Sequence, residues 1–77
     1  MSAFYPASSL TGGGTGALDA IDGALLEDGD RAIVIATSQV YFYYLDADSG
    51  AAESSPGTIA PDTNAGDKRW ILAASTT

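Results

Sequence analysis

The run of fifteen residues from Arg31 to Leu45 constrains the fold of this chain more than any other feature of its sequence. It consists almost entirely of aliphatic and aromatic residues and is interrupted only in its middle, at residues 37–39. This pattern predicts a central β-hairpin over residues 31–37 and 40–46. Both faces of that hairpin are apolar, although a sheet with one face in water needs only one apolar side. We therefore expect either a sheet closed into a small barrel or sandwich, or a face covered by another protein.

The hairpin sequence also predicts a register. A two-residue loop at Ser38-Gln39 places Arg31 opposite Asp46, where an ion pair would close the open end of the hairpin. The remaining predicted pairs are Ile33 with Tyr44 and Ile35 with Phe42. Ser-Gln is not a favoured dipeptide for such a tight turn, so a three-residue loop through Thr37 is the alternative.

Length and composition predict one domain with a thin core. A chain of 77 residues buries only about 60% of the surface that its unfolded form exposes. Domains below roughly 80 residues often gain stability from disulfides, metals or oligomerisation. This chain contains no Cys and no His. Stabilisation by oligomerisation or docking is therefore expected.

The charge of the chain excludes several classes of partner. Lys and Arg number 3 against 10 Asp and Glu, which gives a formal net charge of −7. Such a charge repels the phosphates of nucleic acids and anionic lipid surfaces. No segment approaches the roughly 20 apolar residues of a membrane span, and the N-terminus lacks a signal-peptide pattern. We expect a soluble protein made in the cytoplasm, with neither nucleic acid nor membrane as its partner.

The first sixteen residues predict an extended, flexible N-terminal arm. Four of the five positions 12–16 are glycine, and glycine loses the most backbone entropy on ordering. Phe4 and Tyr5 are candidate anchors for this arm. Residues 17–77 then predict a small all-β domain of about four short strands, because turn dipeptides such as Asp22-Gly23 separate the apolar segments.

The large side chains divide into a predicted core and a predicted contact surface. The predicted core comprises Ile33, Ile35, Phe42, Trp70 and Leu72. The predicted partner-binding residues are Phe4, Tyr5, Tyr41 and Tyr43. Trp70 is expected to anchor the core, with its ring N–H donating to a carbonyl as buried tryptophans usually do.

Residues with catalytic or metal-binding chemistry are sparse. Without His or Cys the chain lacks the common general base and the thiolate nucleophile, and so small a domain leaves little room for a cleft. We expect neither an enzyme nor a cofactor. The glycines at 12–16 lack the lysine of a phosphate-binding loop. Asp46 and Asp48 resemble calcium ligands, but an EF-hand needs glycine at its sixth position and glutamate at its twelfth, which this segment does not have.

The aromatic residues leave one alternative open. Flat rings with polar tips are suited to stacking on sugars, and the chain has several: Tyr41, Phe42, Tyr43, Tyr44 and Trp70. Core packing accounts for most of them, and exposed aromatic residues also mark protein contacts. A carbohydrate-binding module predicts a planar, exposed row of tyrosines, whereas structural use predicts rings buried against a neighbouring chain.

Three strings of this sequence carry a resemblance to a known family. They are Ile21-Asp22-Gly23 with Leu26 and Gly29-Asp30-Arg31; Tyr41-Phe42-Tyr43-Tyr44-Leu45-Asp46 with residues 49–56; and Ile59-Ala60-Pro61 with residues 66–72. Over residues 17–74 they resemble a small β module of bacteriophage tail-fibre and tail-spike proteins. The resemblance implies a structural role near the virion, and no depolymerase or adhesion activity is carried over to these residues.

Together these features predict a bacteriophage virion structural protein, synthesised in the host cytoplasm. It would dock other virion proteins through its N-terminal arm and its second apolar sheet face. A homo-oligomer is expected, and the analogy with fibre proteins favours a trimer. The alternatives are a carbohydrate-binding module that contacts a glycan of the host surface and a capsid decoration protein.

We predict that folding does not require calcium, because the segment from Asp46 to Gly50 misses the coordination pattern. The melting temperature should be the same in a chelator and in millimolar calcium. A ligand that binds only the native state must raise its stability. A rise of several degrees on adding calcium would therefore contradict this prediction.

Overall fold

The computed structural model describes residues 3–12, 14, 16–36 and 39–76, and this part of the chain forms one five-stranded sheet. The strands are β1 (Phe4–Ala7), β2 (Arg31–Ile35), β3 (Val40–Asp46), β4 (Thr58–Ile59) and β5 (Arg69–Thr76), and short 3₁₀ helices cover Leu18–Ala20 and Gly23–Leu25. The spatial order is β1-β2-β3-β5-β4. The all-β prediction is confirmed, but the sheet is open and does not close into a barrel. No helix described here is long and apolar enough to cross a membrane.

The fifth strand comes from the segment that was predicted to be an arm. β1 pairs in parallel with β2, with Phe4 opposite Arg31 and Ala7 opposite Val34. The Arg31 amide donates to the carbonyl of Ala3 at 2.9 Å. Pro6 is tolerated because β1 is an edge strand, where a missing N–H costs no ladder bond. Residues 4–7 therefore belong to the sheet and do not extend away from it; the boundary predicted at residue 16 stays a prediction.

The glycine-rich segment after β1 returns the chain to the body of the protein. Ser9 and Ala17 form a parallel bridge, and the Ser8 amide donates to the carbonyl of Gly16 at 2.8 Å. Gly12 and Gly16 have φ angles of 106° and 92°, a left-handed region that other residues enter only with strain. Ser8 and Ser9 therefore lie beside Gly16 and Ala17.

The central hairpin is present, but its predicted register is wrong by two residues. The observed pairs are Arg31 with Tyr44, Ile33 with Phe42 and Ile35 with Val40. Asp46, the predicted partner of Arg31, lies opposite Arg69 on β5. The Ala36 amide donates to the Gln39 carbonyl at 2.9 Å, one residue beyond the last pair of the two strands; Ser38, the other predicted loop residue, lies outside the described residues.

A shift of two residues keeps every side chain on the same face of the sheet, because side chains alternate with a period of two. The hydrophobic pattern is therefore identical in the predicted and the observed registers. The two registers differ in the hydrogen bonds between the strands. The Ala36–Gln39 bond continues the observed register beyond the last paired residues of β2 and β3.

The core lies between the inner face of the sheet and the 3₁₀ segments. It is formed by Leu18, Leu26, Ala32, Val34, Tyr43, Leu45, Ile59 and Trp70. Trp70 is fully buried, and the ring of Tyr5 meets its indole edge-on, with centroids 6.1 Å apart. The indole N–H of Trp70 has no hydrogen-bond partner among the described residues. The prediction that it donates to a carbonyl is therefore wrong, because the indole is enclosed by apolar and aromatic side chains.

The buried carboxylate of Asp30 connects three parts of the fold. Its Oδ1 accepts the Ala3 amide at 2.8 Å, and its Oδ2 accepts the Glu27 amide at 2.9 Å. Its main-chain carbonyl accepts the Leu45 amide at 2.8 Å. A buried charge is tolerated where hydrogen bonds satisfy it, and here they tie the start of β1 and the turn before β2 to the end of β3.

We predict that replacing Asp30 by Ala lowers the free energy of unfolding by about 3 kcal/mol or more, because hydrogen bonds to a charged group contribute about 1.5–3 kcal/mol each. The matched control is Asp28→Ala. The Asp28 carboxylate also accepts one backbone amide, that of Ala47, but it is exposed, so its loss should cost about 1 kcal/mol or less. Urea denaturation measures both. Equal losses in the two variants would show that Asp30 is not the central connection.

Candidate functional site: the outer face of the sheet

The alternation of burial along the strands divides the sheet into two faces. On β2, Ala32 and Val34 are buried and point to the core, so Ile33 and Ile35 point away from it. The register extends this assignment to the neighbouring strands. We call the side away from the core the outer face; its apolar residues are Phe4, Pro6, Ile33, Ile35, Val40, Phe42, Tyr44, Ile71 and Ala74.

Large apolar side chains of the outer face are exposed to solvent. The exposed fractions are 62% for Phe4, 58% for Ile35, 39% for Phe42 and 37% for Tyr44. Soluble domains seldom leave a contiguous apolar surface uncovered unless it contacts something. The outer face is therefore the candidate functional site.

Three of the five predicted core residues do not lie in the core. The other two, Trp70 and Leu72, do, although Leu72 is only half-buried. Ile33, Ile35 and Phe42 lie on the outer face. Trp70 is fully buried, and Leu72 is half-buried against the core. On the inner face the small Ala32 lies beside the large Tyr43 of the neighbouring strand, and both pack in the cluster that contains Trp70. Small and large side chains that alternate in this way fill a core closely.

The four predicted partner-binding residues are not brought together by the fold. Tyr43 is fully buried, and its hydroxyl donates to the Pro56 carbonyl. Tyr41 is half-buried on the inner side, where its hydroxyl donates to Gln39 Oε1. Tyr5 packs against the core at Trp70. Only Phe4 lies exposed on the outer face.

Most residues predicted for the core thus lie on the outer face, and most residues predicted for partner binding lie on the inner face. Sequence reasoning placed Tyr41 and Tyr43 at the surface and their neighbour Phe42 inside. The predicted contact surface also left out the outer-face residues Pro6, Val40, Tyr44, Ile71 and Ala74. The signal that could have found Val40 and Tyr44 is their alternation in step with Phe42 along β3.

The charged residues of the outer face lie together at one end of it. The guanidinium of Arg31 lies 6.0 Å from the centre of the Tyr44 ring, a distance at which cation–π attraction operates, and Nη1 donates to the Gly29 carbonyl at 2.8 Å. Asp46 and Arg69 follow at the same end, opposite each other on β3 and β5. Two of the three cationic residues of the chain therefore lie at this end.

The acidic string that resembled calcium ligands has a structural use. Asp46 Oδ1 accepts the Asp48 amide at 3.0 Å, which is a local turn of the kind that aspartate favours. In the part of the chain that the structure describes, no three His, Cys, Asp or Glu side chains are grouped to hold a metal ion. The same described residues enclose no pocket.

Comparison with known protein families, curated proteins and solved structures finds no match. The resemblance to a tail-fibre module therefore stays a prediction from the three sequence strings.

We predict a loss of stability between pH 10 and pH 12 that depends on Tyr43. Burial, and secondarily the neighbouring Tyr41, raise the pKa of Tyr43 to about 12 from an ordinary value of 10. Above pH 10 the unfolded chain releases this proton while the folded chain keeps it. Stability is therefore complete below pH 10 and falls as the pH approaches 12. Urea denaturation across this range should show a steeper decline for the native chain than for Tyr43→Phe; parallel declines would contradict the assignment.

Proposed function

We propose that this chain is a structural module of a bacteriophage virion and that its outer face docks a neighbouring virion protein. The observation that carries the docking part is the outer face itself, with Phe4, Ile35 and Phe42 each more than one third exposed. The resemblance of residues 17–74 to a tail-fibre module supports the virion context.

Docking through the outer face would bury apolar side chains that are exposed in the single chain. Full burial of one Ile or Phe side chain contributes about 1.5–3 kcal/mol. Three such side chains, Phe4, Ile35 and Phe42, stand partly or mostly in water when the chain is alone. A partner that covers them recovers several kcal/mol, which is enough to matter for a domain this small.

The N-terminal segment takes a different part in this proposal from the one that the sequence predicted. Phe4 and Pro6 lie on β1 and extend the outer face beyond β2. They therefore contribute to docking as part of the sheet, in place of a free arm that reaches across to a neighbour.

The outer face supports the carbohydrate-binding alternative less well. Sugar binding was assigned to tyrosines, but Tyr41 and Tyr43 point toward the core. On the outer face Tyr44 is the tyrosine with an exposed ring, and the Arg31 guanidinium lies near it. A capsid decoration protein would use the same apolar contact and would differ only in the virion component that it covers.

We predict that Ile35→Glu prevents incorporation into the virion. A charge placed in the apolar contact costs several kcal/mol of binding, while the exposure of Ile35 leaves the fold intact. The control is Leu25→Glu, because Leu25 is 66% exposed but lies in a 3₁₀ helix that is not part of the outer face. Both variants are introduced into a phage whose genome encodes the chain, and purified particles are analysed by mass spectrometry.

Near-ultraviolet circular dichroism of the isolated variants first shows that both are folded. Loss of Ile35→Glu from particles that retain Leu25→Glu is the expected result. Normal incorporation of Ile35→Glu would exclude the outer face as the docking surface, and absence of the native chain from particles would exclude the virion role.

A further inference from the structure

We infer that the outer face is covered by one amphipathic α-helix of a different virion protein, and that a carboxylate at one end of this helix pairs with Arg31. This inference rests on the proposed docking role of the outer face and specifies its partner. Two observations carry it. The exposed apolar residues form a stripe that is one helix wide, and this stripe ends at an arginine whose charge no described carboxylate neutralises.

The stripe follows the two middle strands of the block β1-β2-β3-β5. Ile35 on β2, and Phe42 and Tyr44 on β3, are exposed on the outer face. By register they lie in three successive rows across the two strands. Rows lie about 7 Å apart and each strand is about 5 Å wide, so the stripe measures roughly 14 by 10 Å. These are the dimensions of one α-helix of about three turns.

Backbone hydrogen bonding favours a helix over an extended segment on this face. The backbone groups of the two middle strands are paired within the sheet, so a covering segment must satisfy its own N–H and C=O groups. A helix does this internally, whereas a single extended segment does not. A second sheet would also do so, but four strands of about five residues offer only roughly 20 by 17 Å, and two such surfaces fall below the roughly 1,200 Å² of a standard interface. One helix laid on a sheet is the smaller arrangement.

Arg31 stands at one end of the stripe, in the same row as Tyr44. It is exposed, and its guanidinium lies 6.0 Å from the centre of the Tyr44 ring. In the part of the chain that the structure describes, Nη1 donates to the Gly29 carbonyl and no carboxylate pairs with the guanidinium. Arg31 therefore keeps N–H donors for a partner.

The other charged residues at this end of the outer face bind within the chain. Arg69 donates to three main-chain carbonyls through Nε and Nη1. Asp46 Oδ1 accepts the Asp48 amide at 3.0 Å. Among these residues, Arg31 is thus the one best placed to meet a charge on the partner.

A helix that covers the stripe removes water from Arg31, and a buried cation is costly unless it is paired. A carboxylate can accept two parallel hydrogen bonds from a guanidinium, which makes it the strongest protein partner. Apart from Arg31 the chain carries 2 cations and 10 acids, a charge of −8. An acidic partner is therefore attracted at Arg31 and repelled by most other surfaces of the chain.

The spacing of the rows defines the sequence pattern of the partner helix. A helix rises about 1.5 Å per residue, so successive rows correspond to roughly four residues. We therefore expect an Asp or Glu near Arg31 and apolar residues roughly four and eight positions away, on the same face of the helix. Such a contact is weak by itself because it is small, and the high local concentration within a particle strengthens it.

The first test is competition between the native full chain and Arg31→Gln for incorporation into the same particles. The variant loses the ion pair and leaves the partner's carboxylate buried without a cation, so it should be incorporated roughly tenfold less than the native chain or worse. Arg31→Lys keeps the charge but loses the planar fork of donors, and it should fall between the two. Mass spectrometry of purified particles measures the ratios.

The control separates local pairing from net charge. Ala52 is exposed in the loop between β3 and β4, and Ala52→Glu changes the net charge from −7 to −8, as Arg31→Gln does. Ala52→Glu should therefore be incorporated as well as the native chain. Circular dichroism of the isolated variants checks that each is folded.

The second test identifies the partner segment. Phe42, in the middle of the stripe, is replaced by the photoreactive analogue p-benzoylphenylalanine, and particles are irradiated and digested. The expected crosslink is to a segment of a different virion protein that has the acidic and apolar spacing given above. Reversing the charge of that acidic residue to Lys should then restore the incorporation of Arg31→Glu.

The outcomes separate this inference from the proposed function. Equal incorporation of Arg31→Gln and the native chain, or a crosslink from position 42 to a second copy of this chain or to a segment without that spacing, overturns the inference. If Ile35→Glu is nevertheless lost from particles, the outer face docks a partner of another kind and the proposed function stands. Absence of the native chain from particles overturns the proposed function and this inference with it.

Discussion

The buried carboxylate of Asp30 is the interaction on which the arrangement of this sheet depends. It accepts the amides of Ala3 and Glu27, so it fixes the chain just before β1 and the turn that leads into β2. β1 is an edge strand of four residues with β2 as its neighbour, and so short a strand gains little from its own ladder. Once Asp30 places it, Tyr5 meets Trp70 and Phe4 joins the outer face.

Carboxylates at the surface accept backbone amides in the same way as Asp30 does in the interior. Several carboxylates accept backbone amides in turns: those of Asp22, Asp28, Asp46 and Glu53. The cations act in the complementary way and donate to main-chain carbonyls, as Lys68 does to Gly23 and Arg69 to Ala51. In a chain with long loops, these bonds satisfy backbone groups that no strand pairs. Asp46, one of the two residues that resembled calcium ligands, thus holds a turn in place, and the charges on the outer face stay at one end of it.

Because the charged residues lie at one end of the outer face, the rest of that face is apolar. This is why docking is the function that the fold supports best. An isolated five-stranded sheet with a core on one side only must expose its other side. Natural sheets of this kind usually make that side polar. Here Ile35 and Phe42 occupy it, which costs solubility unless a partner covers them. The proposed virion role is an answer to this single feature.

The hydrophobic runs by themselves determined the all-β class, the central hairpin and the presence of two apolar faces, because these depend only on side-chain chemistry and a period of two. Which face became the core was decided only by tertiary packing, since both faces are apolar and only the face with Ala32 and Val34 meets Leu18, Leu26 and Trp70. The hairpin register and the position of β1 also depended on tertiary contacts. A shift of two residues changes no face, and the carboxylate that secures β1 lies 27 residues from the amide it binds.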